Sequence, residues 1–259
     1  MGCLYYLAYS PPKDPRCKRR LEQTLSSQGV LRLHYSLWQI PPKISRVAID
    51  LLQGYQPILM RRSREVVSPL LKSFRLGEDL GTVMILAYRL KGGSSRQRAI
   101  VSRALFQSPS LKIGTCLYLF PHMRTSRWIR YQGKILSATE VSELLRREQI
   151  ETMCFNYLRI VYPYSHGIIL KAMGEQQVVR AQRLFESLKH LLEAMESSPL
   201  DKVDCRKLIS AYRQRYVWLK QVSNFLEHEM DIGPSPILKK IYNALKSCEE
   251  FLQVRTECY

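Results

Sequence analysis

An internal repeat limits what this chain can fold into more than any other feature. Leu7-Ala8-Tyr9 returns as Leu86-Ala87-Tyr88, an offset of 79. Each triplet closes a short apolar run, 3–6 in one case and 83–85 in the other. Each is followed by a polar turn rich in Pro or Gly (10–15 and 89–94) and then by a basic amphipathic segment (16–28 and 95–107). Residues 31–41 then match 111–121 at an offset of 80, and both stretches end in Pro. A one-residue insertion in a loop accounts for the change of offset. Self-similarity in this order means one supersecondary unit built twice.

The pattern within each copy assigns its elements. The aliphatic and aromatic runs 3–9 and 82–89 read as buried strands. Leu21 and Leu25 lie one turn apart, so 15–28 reads as a helix with one face packed down. Leu31, Leu33, Tyr35 and Leu37 alternate with period two, a half-buried strand with room for a tight hairpin at Tyr35-Ser36. Ile44, Val47, Ala48, Leu51 and Leu52 predict a helix over 43–53, and 58–60 a closing strand. In the second copy Val141, Leu144 and Leu145 mark a helix over 138–149, and 155–161 a strand. The order is βαββαβ, twice. The fold class expected is therefore α+β: ferredoxin-like domains over 1–66 and 82–165, followed by a helical region. Pro69, Gly77 and Gly81 break the periodicity, which puts the linker at 63–81.

After His166-Gly167 the period becomes 3.6. Amphipathic helices are expected over 175–196, 202–230 and 236–253, broken by Pro199 and Asp201 and then by Gly233-Pro234. This domain, 170–259, reads either as a partner-docking or dimerisation module or as a cap over a sheet face.

Composition matters where it locates charge. The chain carries Lys+Arg 40 against Asp+Glu 22, a net of +18. Residues 1–165 hold 26 Lys/Arg and 10 Asp/Glu, a net of +16, and the remainder contributes +2. So local an excess is the electrostatic footprint of a polyanion ligand, with a merely solvated basic surface as the plain alternative. The repeated basic segments supply Arg16, Lys18, Arg19 and Arg20 from the first copy and Arg96, Arg98 and Arg103 from the second. The loop 124–133 adds Arg124, Arg127, Trp128 and Arg130, where an aromatic ring among guanidinium groups suits base stacking beside phosphate. Its simpler reading is a surface turn with Trp128 folded over the domain edge.

Several function classes are excluded or disfavoured. With 46% hydrophobic residues the chain has enough apolar mass for a core. No stretch approaches the roughly 20 apolar residues of a membrane span. An apolar run ahead of the basic one reverses the order of a signal peptide, and Tyr6 departs from the acylation pattern that Met1-Gly2 would begin. The seven cysteines are scattered with no C-x-x-C pair, which points to reduced thiols in a cytoplasmic protein and to no zinc site. His228 lacks a second His four residues away. Lys91-Gly92-Gly93-Ser94-Ser95 has the wrong spacing for a nucleotide-binding loop; Gly92-Gly93 before a helix reads first as a simple turn and second as a phosphate turn. No cofactor is expected.

Leu-Ala-Tyr, the polar turn, the basic helix and Arg32-Leu33-His34-Tyr35-Ser36-Leu37-Trp38 together resemble the small CRISPR-associated ferredoxin-fold family that partners the spacer integrase. They are also similar to the related domain of phenylacetate-type repressors and chromate-resistance regulators. The resemblance covers about 60 residues of the first copy and, more weakly, 82–165. It implies domains that pair with two-fold symmetry, here inside one chain; the +16 segment and the repeated basic helix then lead to the expectation that the pair shows one basic face to duplex DNA or RNA. In that family a carboxylate follows the first strand and is the proposed metal ligand of a nuclease. The matching positions here are Ser10 and Arg89, neither of which holds a hard cation as a carboxylate does. Asp14, four residues past Ser10, is the weak substitute, and no metal site is assigned. The expected function is thus non-catalytic nucleic-acid binding by a tandem pseudo-dimer. The alternatives are a divergent metal-dependent nuclease using Asp14 and a protein-interaction scaffold.

Overall fold

The computed structural model describes residues 4–69, 79–90, 92–197 and 202–257. It divides into two compact units, Met1–Leu170 and Lys171–Tyr259. The first unit carries a single mixed sheet-and-helix layer set. Its elements are β1 (Tyr5–Ala8), α1 (Pro15–Ser27), β2 (Leu31–His34), β3 (Leu37–Ile40), α2 (Ser45–Leu51) and β4 (Ile58–Arg62). Then come β5 (Thr82–Arg89), α3 (Ser95–Phe106), β6 (Leu111–Gly114), β7 (Leu117–Pro121), α4 (Thr125–Trp128), α5 (Ala138–Arg147) and β8 (Glu151–Ile160). The helices α6 (Pro163–Ser197), α7 (Lys202–Met230) and α8 (Ile237–Glu257) complete the described chain.

All eight strands form one antiparallel sheet in the order β2-β3-β1-β4-β8-β5-β7-β6. Each half has its first strand between its third and its last, and the two last strands, β4 and β8, pair edge to edge through Met60↔Ile160, Arg61↔Arg159 and Arg62↔Leu158. Pairing these edges hides two rows of backbone groups that would otherwise invite other chains. The copies also share a detail: Tyr9 N–H donates to the Ser36 carbonyl at 3.2 Å, and Tyr88 N–H to the Cys116 carbonyl at 3.1 Å. In each, the end of the first strand is tied to the turn of the following hairpin.

Alternation along the strands sorts residues to two faces. Leu7, Tyr9, Trp38, Ile40 and Leu59 meet α1 and α2 through Leu25, Ala48, Ile49 and Leu52. Met84, Leu86, Tyr88 and Phe120 meet α3 and α5 through Val101, Ala104, Leu105, Val141 and Leu145. The opposite face is buried as well: Ala8, Leu37, Met60, Val83, Ile85, Ala87 and Leu117 are all 0% exposed. The two halves cover it for each other. Tyr6 and Phe155, on strands separated by β4, bring their ring centroids to 5.5 Å. His34 Nε2 lies 3.1 Å from the Tyr88 carbonyl, although β2 and β5 are not neighbours in the sheet. The sheet therefore folds over on itself. A bulge in β8 helps it turn: the register shifts between Leu158 and Phe155, and Tyr157 has φ 58°. An extra residue bends the strand and tightens its twist.

Local sequence sets the helix ends. Asp14 caps α1 by accepting from Arg16 N–H at 3.0 Å, with Pro15 at the first helical position. Ser94 and Gln97 form a capping box at α3, and Ser137 and Glu140 another at α5. Ser94→Ala is expected to lower the unfolding free energy by about 1 kcal/mol, read from urea denaturation, with Ser94→Asp retaining most of it.

Three boundaries differ from expectation. Helix α6 begins at Pro163, so His166-Gly167 lies inside it and does not precede it. Pro is tolerated at a helix start, and one internal Gly costs only about 1 kcal/mol. His166 Nδ1 also accepts from Leu80 N–H at 3.0 Å, which anchors that first turn. The helix expected over 43–53 is shorter, flanked by 3-10 turns at Pro42–Ile44 and Gln53–Tyr55, and Gln56 is left-handed at φ 49°. Strand β8 starts at Glu151, four residues early, because its first half pairs with β5 alone. Of the linker, Gly81 has φ +66° with Val67 and Ser68 backbone against it, and Gly77 lies outside the described residues, as do Pro199, Asp201 and Met1-Gly2-Cys3.

In the second unit Leu184, Leu188, Leu191, Ile209, Leu219, Phe225, Ile241 and Leu245 are buried at helical spacing. An Arg213–Glu249 ion pair links α7 and α8. Asp231 ends α7 with φ 53°, and Ile232 N–H returns to the Leu226 carbonyl at 3.1 Å, so the last turn keeps a partner for one of its open carbonyls. No helix among the described residues is long and apolar enough to cross a membrane.

Candidate functional site

The fold-over creates a cleft between the β2–β3 hairpin of the first half and the end of β5 in the second. It has a volume of about 350 Å³ and is lined by Arg32, Leu33, His34, Tyr35 and Arg89. Arg89 is also a wall of an adjoining hollow of about 220 Å³ at the start of α3, with Gly93, Gln97 and Glu151. Arg89 is thus shared by both.

The hairpin is locked in place. Arg32 makes two bonds to the Glu22 carboxylate on α1, at 2.8 and 3.0 Å. Its Nε donates to the His34 carbonyl at 3.3 Å and its Nη2 to the Tyr35 carbonyl at 3.1 Å. Its guanidinium also lies 5.6 Å from the Trp38 ring centroid. Bidentate pairing of this kind spends the cation on structure. Arg89 is committed far less: its contact with Glu151 is 3.4 Å, long for a charged pair, and its side chain is 34% exposed.

His34 is 1% exposed, and burial, its largest influence, holds its pKa below the ordinary histidine value, with Arg89 and Arg32 adding to the effect. A carbonyl only accepts, so Nε2 carries the proton toward Tyr88 and Nδ1 is left as an acceptor with no partner. His122, on the segment after β7, is likewise held down by burial. Both sides of the titration give one sign. The unfolded chain takes up these protons first, so their contribution is whole above the unfolded pKa and is lost as pH falls below it toward the folded value. The melting temperature is expected to fall between pH 7 and pH 5, and to fall less in His34→Gln, measured by circular dichroism.

The residues singled out in the sequence are distributed as follows. Arg16, Arg19 and Arg20 are exposed on α1, and Lys18 sits with Nζ 6.0 Å from the Tyr35 centroid, on the rim of the cleft. Arg96, Arg98 and Arg103 are exposed on α3, with Arg96 reaching Glu148 only at 3.5 Å. Helix α1 borders the cleft through Lys18 and α3 borders the hollow through Gln97, and Arg89 lines both. Arg124, Arg127 and Arg130 are exposed around α4, where Trp128 is half-buried and 6.3 Å from the Tyr131 ring. That loop follows β7 and adjoins the start of β5, since Val83 pairs with Pro121, while Arg89 is at the far end. Six strand steps, roughly 20 Å, separate them. The α4 loop therefore does not belong to the cleft.

Asp14 is exposed and held below the ordinary aspartate range, first by the backbone N–H of Arg16 and then by the Cys17 thiol. Its cap role accounts for it, and among the described residues no group of three acidic, His or Cys side chains is placed to hold a metal ion. Ser10 N–H donates to the Tyr55 carbonyl at 3.0 Å, and its copy-mate Arg89 faces the cleft. Composition and helix periodicity do not single out Arg32, His34, Tyr35 and Arg89 as one site. Their only signal is that each belongs to a matched segment of the two copies. No family model, curated protein or solved structure gives a match to the chain.

Proposed function

We propose that this chain is a non-catalytic nucleic-acid-binding protein, built from two ferredoxin-like βαββαβ domains that form a pseudo-dimer within one polypeptide. The β2-β3-β1-β4 and β8-β5-β7-β6 orders support the domain reading, because the ferredoxin-like pattern sets the first strand between the third and fourth. The observation that carries the function is the placement of charge. The +16 segment coincides with the sheet unit, and its exposed Arg16, Arg19, Arg20, Arg96, Arg98 and Arg103 stand on α1 and α3, the helices that border the cleft at Lys18 and the hollow at Gln97. Exposed cations on two helices suit a phosphate backbone, which is bound without regard to sequence. The resemblance to the integrase-partner family favours the same reading. Ser10 and Arg89, at the positions of that family's carboxylate, favour binding over cleavage, as does the structural use of Asp14.

The test is a fluorescence-anisotropy titration of the full chain with a blunt duplex and, separately, with an acidic polypeptide of equal charge. Duplex binding that exceeds polypeptide binding supports the reading. No duplex binding at low salt removes it, and a preference for the polypeptide replaces it with a protein-interaction scaffold. Cleavage of duplex or RNA in Mg²⁺ that Asp14→Ala abolishes would turn it into a nuclease.

A further inference from the structure

We infer that the cleft between the β2–β3 hairpin and the end of β5 receives one unstacked nucleotide, with its base on Tyr35 and its phosphate on Arg89. The inference rests on the nucleic-acid reading above and deepens it, from a backbone-binding surface to a subsite for an unpaired base.

Four observations converge. The volume, about 350 Å³, is at the small end of ligand clefts, which run from roughly 300 to 1,000 Å³. Tyr35 is a large aromatic left 40% exposed at the tip of a two-residue turn, on the wall of the cleft. It is exposed but not loose. Arg32 holds its carbonyl at 3.1 Å, and His34 meets its ring edge-on at 4.8 Å and 77°. His34 is in turn held by Tyr88 at 3.1 Å, and Arg32 by Glu22. A ring fixed before binding loses little freedom on binding, which is the condition for an effective stacking platform.

Arg89 supplies the phosphate ligand. Of the two cleft arginines it is the less committed, meeting Glu151 at 3.4 Å, and it also lines the hollow at the start of α3, where a neighbouring phosphate of the same strand has space. Lys18 completes the rim beside the ring. On the wall, His34 is nine-tenths and more buried and keeps an acceptor, Nδ1, without a partner. A base inside a duplex has both faces covered by its neighbours, so the occupant is an unpaired nucleotide. Strand overhangs and free mononucleotides share this chemistry.

The experiment uses the full chain with three probes: a blunt duplex, the same duplex carrying a four-nucleotide single-stranded overhang, and AMP followed by calorimetry. The overhang is expected to bind about tenfold more tightly than the blunt duplex. Tyr35→Ala and Arg89→Gln should each bring that ratio close to one, while Tyr35→Phe, which keeps the ring, preserves it. Equal affinity of wild-type protein for overhang and blunt duplex overturns the inference while leaving the duplex reading intact. A ratio that survives both Tyr35→Ala and Arg89→Gln also overturns it. If neither duplex binds but AMP does, and Tyr35→Ala abolishes that, the cleft stands as a free-nucleotide site and the nucleic-acid reading falls. If AMP and overhang both bind through Tyr35 and Arg89, the occupant's chemistry is confirmed for both sources.

Discussion

Raising the salt from 50 to 200 mM should weaken binding of the full chain to a blunt duplex by roughly 10³-fold or more. The expectation comes from counting cations. Arg16, Lys18, Arg19, Arg20, Arg96, Arg98 and Arg103 stand on α1 and α3, and the contact of Arg96 with the Glu148 carboxylate, at 3.5 Å, is long. Each phosphate neutralised releases counterions and steepens the dependence of log K on log salt by about 0.9, so seven contacts give a slope near −6. Neutralising one of these residues, for example Arg98→Gln, should make the slope shallower by about one and weaken binding of every duplex sequence alike. Fluorescence anisotropy across four salt concentrations measures it. A slope shallower than about −2 is too weak for a polyelectrolyte contact of this size and would leave the basic helices without the role proposed for them.

Gly114→Ala is expected to destabilise the sheet unit by about 2–3 kcal/mol, and Ser36→Ala in the same chain to restore most of that loss. Gly114 ends β6 in the second half, and Ser36 sits in the β2–β3 turn of the first. A Cβ on Gly114 would lie 2.3 Å from Ser36 Oγ, 3.3 Å from Ser36 Cβ and 3.4 Å from the Tyr9 carbonyl. The first distance cannot be borne, and Ser36 is 0% exposed, so its hydroxyl has no open space to enter. Removing the hydroxyl relieves the one severe contact and leaves two tolerable ones. Ser36 Oγ has no hydrogen-bond partner, so its loss costs little by itself. Chemical denaturation of the two single variants and the double variant gives a coupling energy. A value near zero would mean that the two hairpins do not meet in solution, and with that the cleft they help to form would be lost. This measurement bears on the fold-over and not on what the cleft holds.

Much of the local structure was legible in the order of residues. The repeat announced two copies with the same succession of elements, and β1–α1–β2–β3 and β5–α3–β6–β7 follow it closely. Ser94 with Gln97 and Ser137 with Glu140 are capping boxes, and Tyr35-Ser36 is the hairpin turn that the alternation around it leaves room for. These signals are local: each links residues within about one turn or one strand of each other. The site was legible only in part. Arg16, Arg19, Arg20, Arg96, Arg98 and Arg103 followed from charge and helix phase, because an exposed helix face can be read from its period. Arg89 and Tyr35 could not be read as a pair. They stand 54 positions apart, on different copies.

The β4–β8 junction shows the same divide. Val83, Ile85 and Ala87 alternate with Met84, Leu86 and Tyr88 in an unbroken apolar run, which states that both faces of β5 are covered. It does not state what covers them. Helices cover one face and the other half of the sheet covers the second, a choice made by Met60 meeting Ile160 across 100 residues of chain. Pairing at that separation depends on which edges remain open after each half has formed, and on a bulge at Tyr157 that bends β8 between its two partners. The residue order specified two similar halves and the charge on their helices, because period, caps and composition are properties of neighbouring residues. Only the three-dimensional packing specified that the halves share an edge, fold face to face and leave one cleft between a tyrosine and an arginine, because those relations exist only between segments far apart in the chain.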